Sequence, residues 1–282
     1  MLKLLAPLLL TGSLLTANHA TAQQTQPDTD SESAIDRRLF LTRSTDGNPF
    51  AIAAYRSNYV LPLTFTSDPI IDQGQSAEIK FQFSLMVPFW RNVLNTNVFA
   101  AFGYTNQSHW QAFNSKLSSP FTETNHEPEL FFVVPYRKRF AGINQRGVIL
   151  GLSHQSNGRT QPFSRSWNRL YADFLFERNN TYFSLKTWYR ILEAEKEDIL
   201  QAQGDDNPDI EAFMGNFELL AFHKRGGHSL SAKLRHSLSS TDRGSVKIDY
   251  DFPISGKLKL TAHLFSGYGE SLITYNKRVN RI

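Results

Sequence analysis

From about residue 50 onward the chain alternates apolar and polar positions in stretches of roughly ten or more residues, the period-two signature of β-strands. Twelve such segments can be marked: 50–66, 77–90, 96–110, 128–139, 145–158, 165–178, 181–192, 212–225, 228–239, 243–254, 257–271 and a last from about 275. Sharp turns separate some of them, at Arg178-Asn179-Asn180, Lys224-Arg225-Gly226-Gly227, Thr241-Asp242-Arg243-Gly244 and Ile254-Ser255-Gly256-Lys257. Longer loops at 111–127, 157–166 and 193–211 separate others. Short connections on one side and long ones on the other, with an even strand count, predict an all-β, twelve-stranded antiparallel transmembrane β-barrel over residues 49–282. A soluble β-sandwich shows the same alternation, because a sheet with one buried face has the same period.

The stretch from Arg146 to Asp173 carries the most information. By parity, Val148, Leu150, Leu152, His154 and Ser156 share one face of the first strand, opposite Gly147, Gly151, Ser153 and Gln155. In the second strand Asn168, Leu170, Ala172, Phe174 and Phe176 share a face, opposite Trp167, Arg169, Tyr171 and Asp173. A His, a Ser and an Asn therefore project from the greasier side of a hairpin. The same rule puts Glu218 and Leu220 opposite Leu219, and Lys247 and Asp249 opposite Val246 and Ile248, as a polar interior and an apolar exterior require.

Composition and address sharpen this. The chain opens with Lys3, an apolar run from Leu4 to Leu15 and the small-x-small site Ala20-Thr21-Ala22, which reads as a secretory signal peptide over residues 1–22. Residues 23–48 are polar and read as an N-terminal periplasmic arm. Taking 22 residues from 282 leaves 260, and only Lys3 goes among the charges, so the net charge of +4 becomes +3. That balance gives no argument for nucleic acid as a partner. The chain has no cysteine but 22 Phe and 10 Tyr, with a mean hydropathy of −0.37. Beyond the signal peptide no run of about 18 apolar residues exists, which excludes helical membrane spans.

A serine hydroxyl needs a base within hydrogen-bond reach, and that base needs an orienting group. His154 and Ser156 are two residues apart on one strand face, with Cα atoms separated by roughly 7 Å. Asn168, on the partner strand, can accept the imidazole N–H if it lies opposite His154. His-x-Ser is also frequent by chance, and Asn157-Gly158 reads equally well as a plain turn. A His and a Ser at the edge of a lipid-facing wall are nevertheless costly unless used.

The motifs HQSNGR at 154–159 and SRSWNRLY at 164–171 resemble the signature of the bacterial outer membrane phospholipase A family. SSPFTETNHEPEL at 118–130, KTWY at 186–189, GDDNPDI at 204–210, LSAK at 230–233 and FSGYGESLITYN at 265–276 extend the likeness over most of residues 50–280. The resemblance implies a multi-pass barrel of the bacterial outer membrane with its active site on the outside. It also implies calcium-dependent hydrolysis of the sn-1 and sn-2 acyl esters of phospholipids and lysophospholipids. Ser156 would be the nucleophile, His154 the base and then acid, Asn168 its orienter, and the Gly158 amide an oxyanion donor. Ca²⁺ would be held by the carbonyl of Arg159, the hydroxyl of Ser164, the carboxylate of Asp206 and, from a second subunit, the carbonyl of Ser118. The active form would then be a homodimer acting on phospholipid in the outer membrane.

Two other classes compete. A passive outer-membrane pore or structural barrel would make His-x-Ser incidental, and a barrel protease would need paired acids and a His at the rim, which the sequence does not offer. Two departures from the family pattern stand out. The chain stops at Asn280-Arg281-Ile282, partway through the expected last strand. The loop EAEKEDILQAQGD at 193–205 is longer and more acidic than the pattern and stands just upstream of Asp206.

Overall fold

The computed structural model describes residues 52–238, 243–256 and 258–282. The expected signal peptide (1–22) and arm (23–48) lie outside the described residues. The strands are β1 (Ala53–Ala54), β2 (Tyr59–Phe65), β3 (Ala77–Trp90), β4 (Phe99–Trp110), β5 (Phe121–Phe140), β6 (Ile143–Ser156) and β7 (Ser166–Arg178). After them come β8 (Thr181–Ile191), β9 (Phe217–Arg225), β10 (His228–His236), β11 (Gly244–Ser255), β12 (Leu258–Gly267) and β13 (Val279–Arg281). One short helix, α1 (Ile210–Met214), precedes β9. No helix among the described residues is long and apolar enough to cross a membrane, which says nothing of strands.

All thirteen strands belong to one antiparallel sheet in which each of β3 to β12 pairs with its neighbours in sequence. β1 pairs with β3 at Met86 and Leu85, and β2 pairs with β3 from Gln82 to Ala77, so the two lie end to end along one edge. What the sequence pattern marks as a single strand over 50–66 is therefore one strand broken in the middle. The two ends of the sheet touch. Phe65 N donates to Ile282 O at 2.8 Å, Ile282 N returns to Phe65 O at 3.0 Å, and Ser67 N donates to Asn280 O at 2.8 Å.

The outward face is apolar, with Leu130, Phe132, Leu150, Leu152 and Leu170 all exposed. The inward face is filled rather than hollow. Arg56 pairs with Glu127 and with Glu129 (2.5 Å), Arg169 with Glu127 (2.7 Å) and Lys186 with Glu129 (3.3 Å), so buried charges meet partners. Tyr55 stacks on Phe131 with centroids 5.0 Å apart, beside the buried Trp167 and Tyr171. A cavity lined by Lys80, Gln107, Lys247 and Glu270, among others, has a volume of about 100 Å³, room for a few waters.

The structure moves several boundaries. β5 begins at Phe121, not 128, so the loop there shrinks to 111–120. Its outer third alternates Thr124 and His126 against buried Glu123, Asn125 and Glu127, a polar-on-polar pattern that hides the strand period. Residues 210–214 are helical, and β9 starts at Phe217 rather than 212. Phe213 therefore packs from α1 against Tyr268 and Tyr275 instead of lining a strand face. β12 ends at Gly267, and the chain then folds over the sheet, burying Leu272 and Tyr275, before β13.

Candidate active site

β6 and β7 position the site. Their register pairs Leu152 with Leu170, His154 with Asn168 and Ser156 with Ser166, so His154, Asn168 and Ser156 continue the apolar outward row toward the loop end of the hairpin. Directly paired residues share a sheet face, which is why one register fixes both the apolar wall and the polar cluster. His154 Nδ1 lies 2.8 Å from Asn168 Oδ1. An amide oxygen only accepts, so this contact puts the proton on Nδ1 and leaves Nε2 as the basic nitrogen. Ser156 is the next residue on the same face, and no hydrogen bond joins it to His154. Asn168 in turn donates its Nδ2 to Glu193 Oε1 at 3.0 Å, from the loop after β8. Sequence reasoning missed Glu193, because its loop has no period to read.

The 157–165 loop is built on Asn157, which is buried. Its Nδ2 donates to Phe163 O at 2.9 Å, and its Oδ1 accepts from Arg165 N at 3.0 Å and Arg159 N at 3.3 Å. Gly158 has φ of 63°, a left-handed conformation that suits glycine. Arg159 is tied down through its guanidinium, which pairs with Glu123 at 3.3 Å and donates to Thr122 O.

Asp206 belongs to a run whose other polar members have structural partners. Asp205 accepts from Arg190 Nη2 through both carboxylate oxygens at 2.6 and 2.7 Å, Asn207 Oδ1 accepts from Ser166 N at 3.1 Å, and Asp209 accepts from Tyr275 Oη. These contacts leave Asp206 facing the hairpin loop. Its carboxylate accepts from Ser164 Oγ at 2.6 Å and Gln161 Nε2 at 2.8 Å, and it forms an ion pair with Lys196. Burial pushes the Asp206 carboxyl up, but the bonds from Lys196, Ser164 and Gln161 outweigh it and hold the group below the usual aspartate range. Ser164 and Asp206 thus come together across 42 residues of sequence. Ser118 sits elsewhere, in the β4–β5 loop after the 3₁₀ turn Ser115–Leu117, with φ of 57°.

An imidazole held by an amide beside a serine, on the outward apolar face of an antiparallel sheet, is a constellation that suits an ester hydrolase. Comparison with known proteins gives the same class. The family model described as "Phospholipase A1" matches residues 35–282. Phospholipase A1 of Escherichia coli (strain K12) is 40% identical over 244 residues, covering 83% of this chain and 80% of the relative. That of Salmonella typhimurium (strain LT2) is 39% identical over the same length and the same shares. Among solved structures, outer membrane phospholipase A from Escherichia coli matches with a TM-score of 0.78 at 38% identity, covering 86% of this chain and 93% of that one. The Salmonella typhi outer membrane phospholipase, solved as a dimer with bound calcium, matches with a TM-score of 0.75 at 40% identity, covering 83% and 91%. The chain belongs to the phospholipase A1 family, as the motif resemblance anticipated, and is an ester-hydrolysing enzyme.

Proposed function

We propose that this chain is a multi-pass protein of the bacterial outer membrane, a twelve-stranded barrel that hydrolyses the sn-1 and sn-2 acyl esters of phospholipids and lysophospholipids on its outer wall. The observation that carries the reading is the 2.8 Å contact of His154 Nδ1 with Asn168 Oδ1, on the same apolar face as Ser156. The strand count rests on β1 and β2 sharing one edge of β3, so that thirteen segments fill twelve places. Inward charges paired across the sheet, Arg56 and Arg169 with Glu127 and Lys186 with Glu129, favour this reading over a passive pore.

In the reaction, His154 Nε2 takes the proton of Ser156 as its oxygen attacks the acyl carbonyl. The developing oxyanion is met by the Gly158 amide, and collapse expels the lysolipid oxygen, which takes the proton from His154. Water then repeats the sequence on the acyl-enzyme and frees the fatty acid. Asn168 keeps the tautomer but, being neutral, stabilises imidazolium less than a carboxylate would.

The residues fit a hard cation. Ser164 and Asp206 offer adjacent oxygens, and a cationic ammonium, that of Lys196, already pairs with Asp206. Arg159 O, Ser164 Oγ and Asp206, with Ser118 of the partner subunit, would hold Ca²⁺, which when bound supplies positive charge for the oxyanion. A site shared between subunits makes a homodimer the active form, with activity rising steeply with enzyme density in the membrane. The similarity to a calcium-bound dimer supports this.

The test is fatty-acid release from phospholipid micelles with and without Ca²⁺. Ser156→Ala should abolish release while leaving a heat-modifiable folded barrel. Activity surviving that change, or full calcium-dependent turnover by a covalently locked monomer, would overturn the corresponding part of the reading.

A further inference from the structure

A second histidine stands on the opposite flank of Ser156. β5 and β6 pair His126 with Ser156 directly, so the imidazole shares the outward face, with Cβ atoms about 5 Å apart as for any opposed antiparallel pair. Its ring reaches the neighbouring loop. A β-carbon placed on Gly158 would lie 3.8 Å from His126 Cδ2 and 3.9 Å from Nε2.

The ring's partners suit one tautomer. Tyr104 Oη lies 2.7 Å from Nδ1, and Asn106 Nδ2 lies 3.4 Å from the same nitrogen. Ser108 Oγ donates to Asn106 Oδ1 at 3.1 Å, the arrangement in which that amide turns its NH₂ toward the ring. An NH₂ group only donates, so in that arrangement Nδ1 accepts, from Tyr104 Oη as well, and the ring carries its proton on Nε2. Among the described residues no hydrogen bond engages Nε2. In that tautomer the Nε2–H stands beside Gly158, on the face that carries Ser156.

We propose that His126 is a second oxyanion donor, its Nε2–H binding the charge that develops on the ester oxygen beside the Gly158 amide. No proton is transferred; the bond strengthens as the oxygen becomes anionic, which is the condition for lowering the barrier rather than tightening substrate. The inference rests on Ser156 being the nucleophile. Tyr104 and Asn106 act through the ring as positioning residues.

The competing role for an imidazole here is contact with the substrate phosphate, and the two separate by substrate. Turnover is measured at saturating Ca²⁺ on a phospholipid and on a headgroup-free alkanoate ester in the same micelles, for wild type, His126→Leu, His126→Gln and Ser156→Ala. Folding of each variant is checked by heat-modifiable mobility. Removing an oxyanion donor costs about 100-fold in kcat. His126→Leu should therefore lose about 100-fold in kcat on both substrates with KM within about twofold, and His126→Gln, which keeps an N–H donor, should recover much of it. Unchanged kcat, a loss confined to the phospholipid, or a loss that Gln does not rescue would each overturn the proposal. If Ser156→Ala stays active, the reading of the site has failed; if it is inactive while His126→Leu is fully active, only the role of His126 has.

Discussion

Asn168 donates its side-chain N–H to Glu193 Oε1 over 3.0 Å, from a loop that no strand pattern anticipates. An asparagine orienter has a weakness that an aspartate lacks. If its amide flips, it presents NH₂ to His154 Nδ1 and reverses the tautomer. A carboxylate can only accept, so Glu193 holds Nδ2 and leaves Oδ1 for the imidazole. It also adds negative charge behind a neutral residue. Hydrogen bonds to charged groups contribute about 1.5–3 kcal/mol, and partial exposure of Glu193 places it at the low end. Glu193→Ala should lower kcat about tenfold with little change in KM, and Glu193→Gln should do so less. Steady-state ester hydrolysis checks this, and a variant with wild-type kcat would remove Glu193 from the site.

Lys196 pairs with the carboxylate assigned to calcium, so a divalent cation must displace an ammonium to reach Asp206. Removing that competitor should tighten Ca²⁺ binding about tenfold in Lys196→Met, whereas Asp206→Asn should weaken it by more. Calorimetric Ca²⁺ titration of the Ser156→Ala protein in detergent reads this apart from turnover. Equal affinities in wild type and Lys196→Met would show that the pair opens at no measurable cost.

The outward row Leu150, Leu152, His154 and Ser156 was legible because strand parity is a local property and the hairpin register follows from it. The charged interior was legible for the same reason, in Arg169 and Asp173 opposite Leu170. What the sequence concealed depends on tertiary partners. β1 and β2 break where Arg56 turns inward to reach Glu127 and Glu129. The outer end of β5 lacks an apolar face, so its period carried no signal. Asn157 reads as half of a turn, yet it is the buried hub of the loop. Glu193 and Lys196 lie in a loop whose acidity was visible while its path was not. His126 sat inside a quoted motif, but only pairing between β5 and β6 brings it to Ser156.

The short β13 is held from inside the sheet. Arg281 is buried and donates to Glu270 at 2.7 Å, Glu78 at 2.7 Å and Thr64 at 2.8 Å, while Lys80 joins Glu270 at 2.8 Å. Removing one member of a buried ion pair costs about 3–5 kcal/mol, because the partner charge is stranded. Arg281→Met should therefore be strongly destabilising at neutral pH, measured by unfolding in detergent. Burial pushes the Glu270 carboxyl up, but Lys80 and Arg281 outweigh it and hold the group well below the usual glutamate range. A depressed carboxyl contributes stability above its ordinary pKa of about 4.3 and loses it as pH falls below that value. The gap between wild type and Arg281→Met should narrow on acidification through that range. A gap independent of pH would mean that Arg281 acts by packing alone.

The outward face itself can be tested for what it meets. Leu150 is exposed in the middle of β6, whereas Phe140 is exposed at the turn end of β5. If lipid covers the wall, arginine at a mid-wall position costs about 2–4 kcal/mol and near an interface about 0–1 kcal/mol. On a water-facing sheet, either change falls within about 0.5 kcal/mol. Leu150→Arg should thus be markedly destabilised relative to Phe140→Arg when folding into phospholipid vesicles is followed in denaturant. Equal, small effects at both positions would put the leucine row in water and take the substrate's acyl phase away from Ser156. The depth dependence is the decisive part, because a packing defect has no reason to grow toward the bilayer centre.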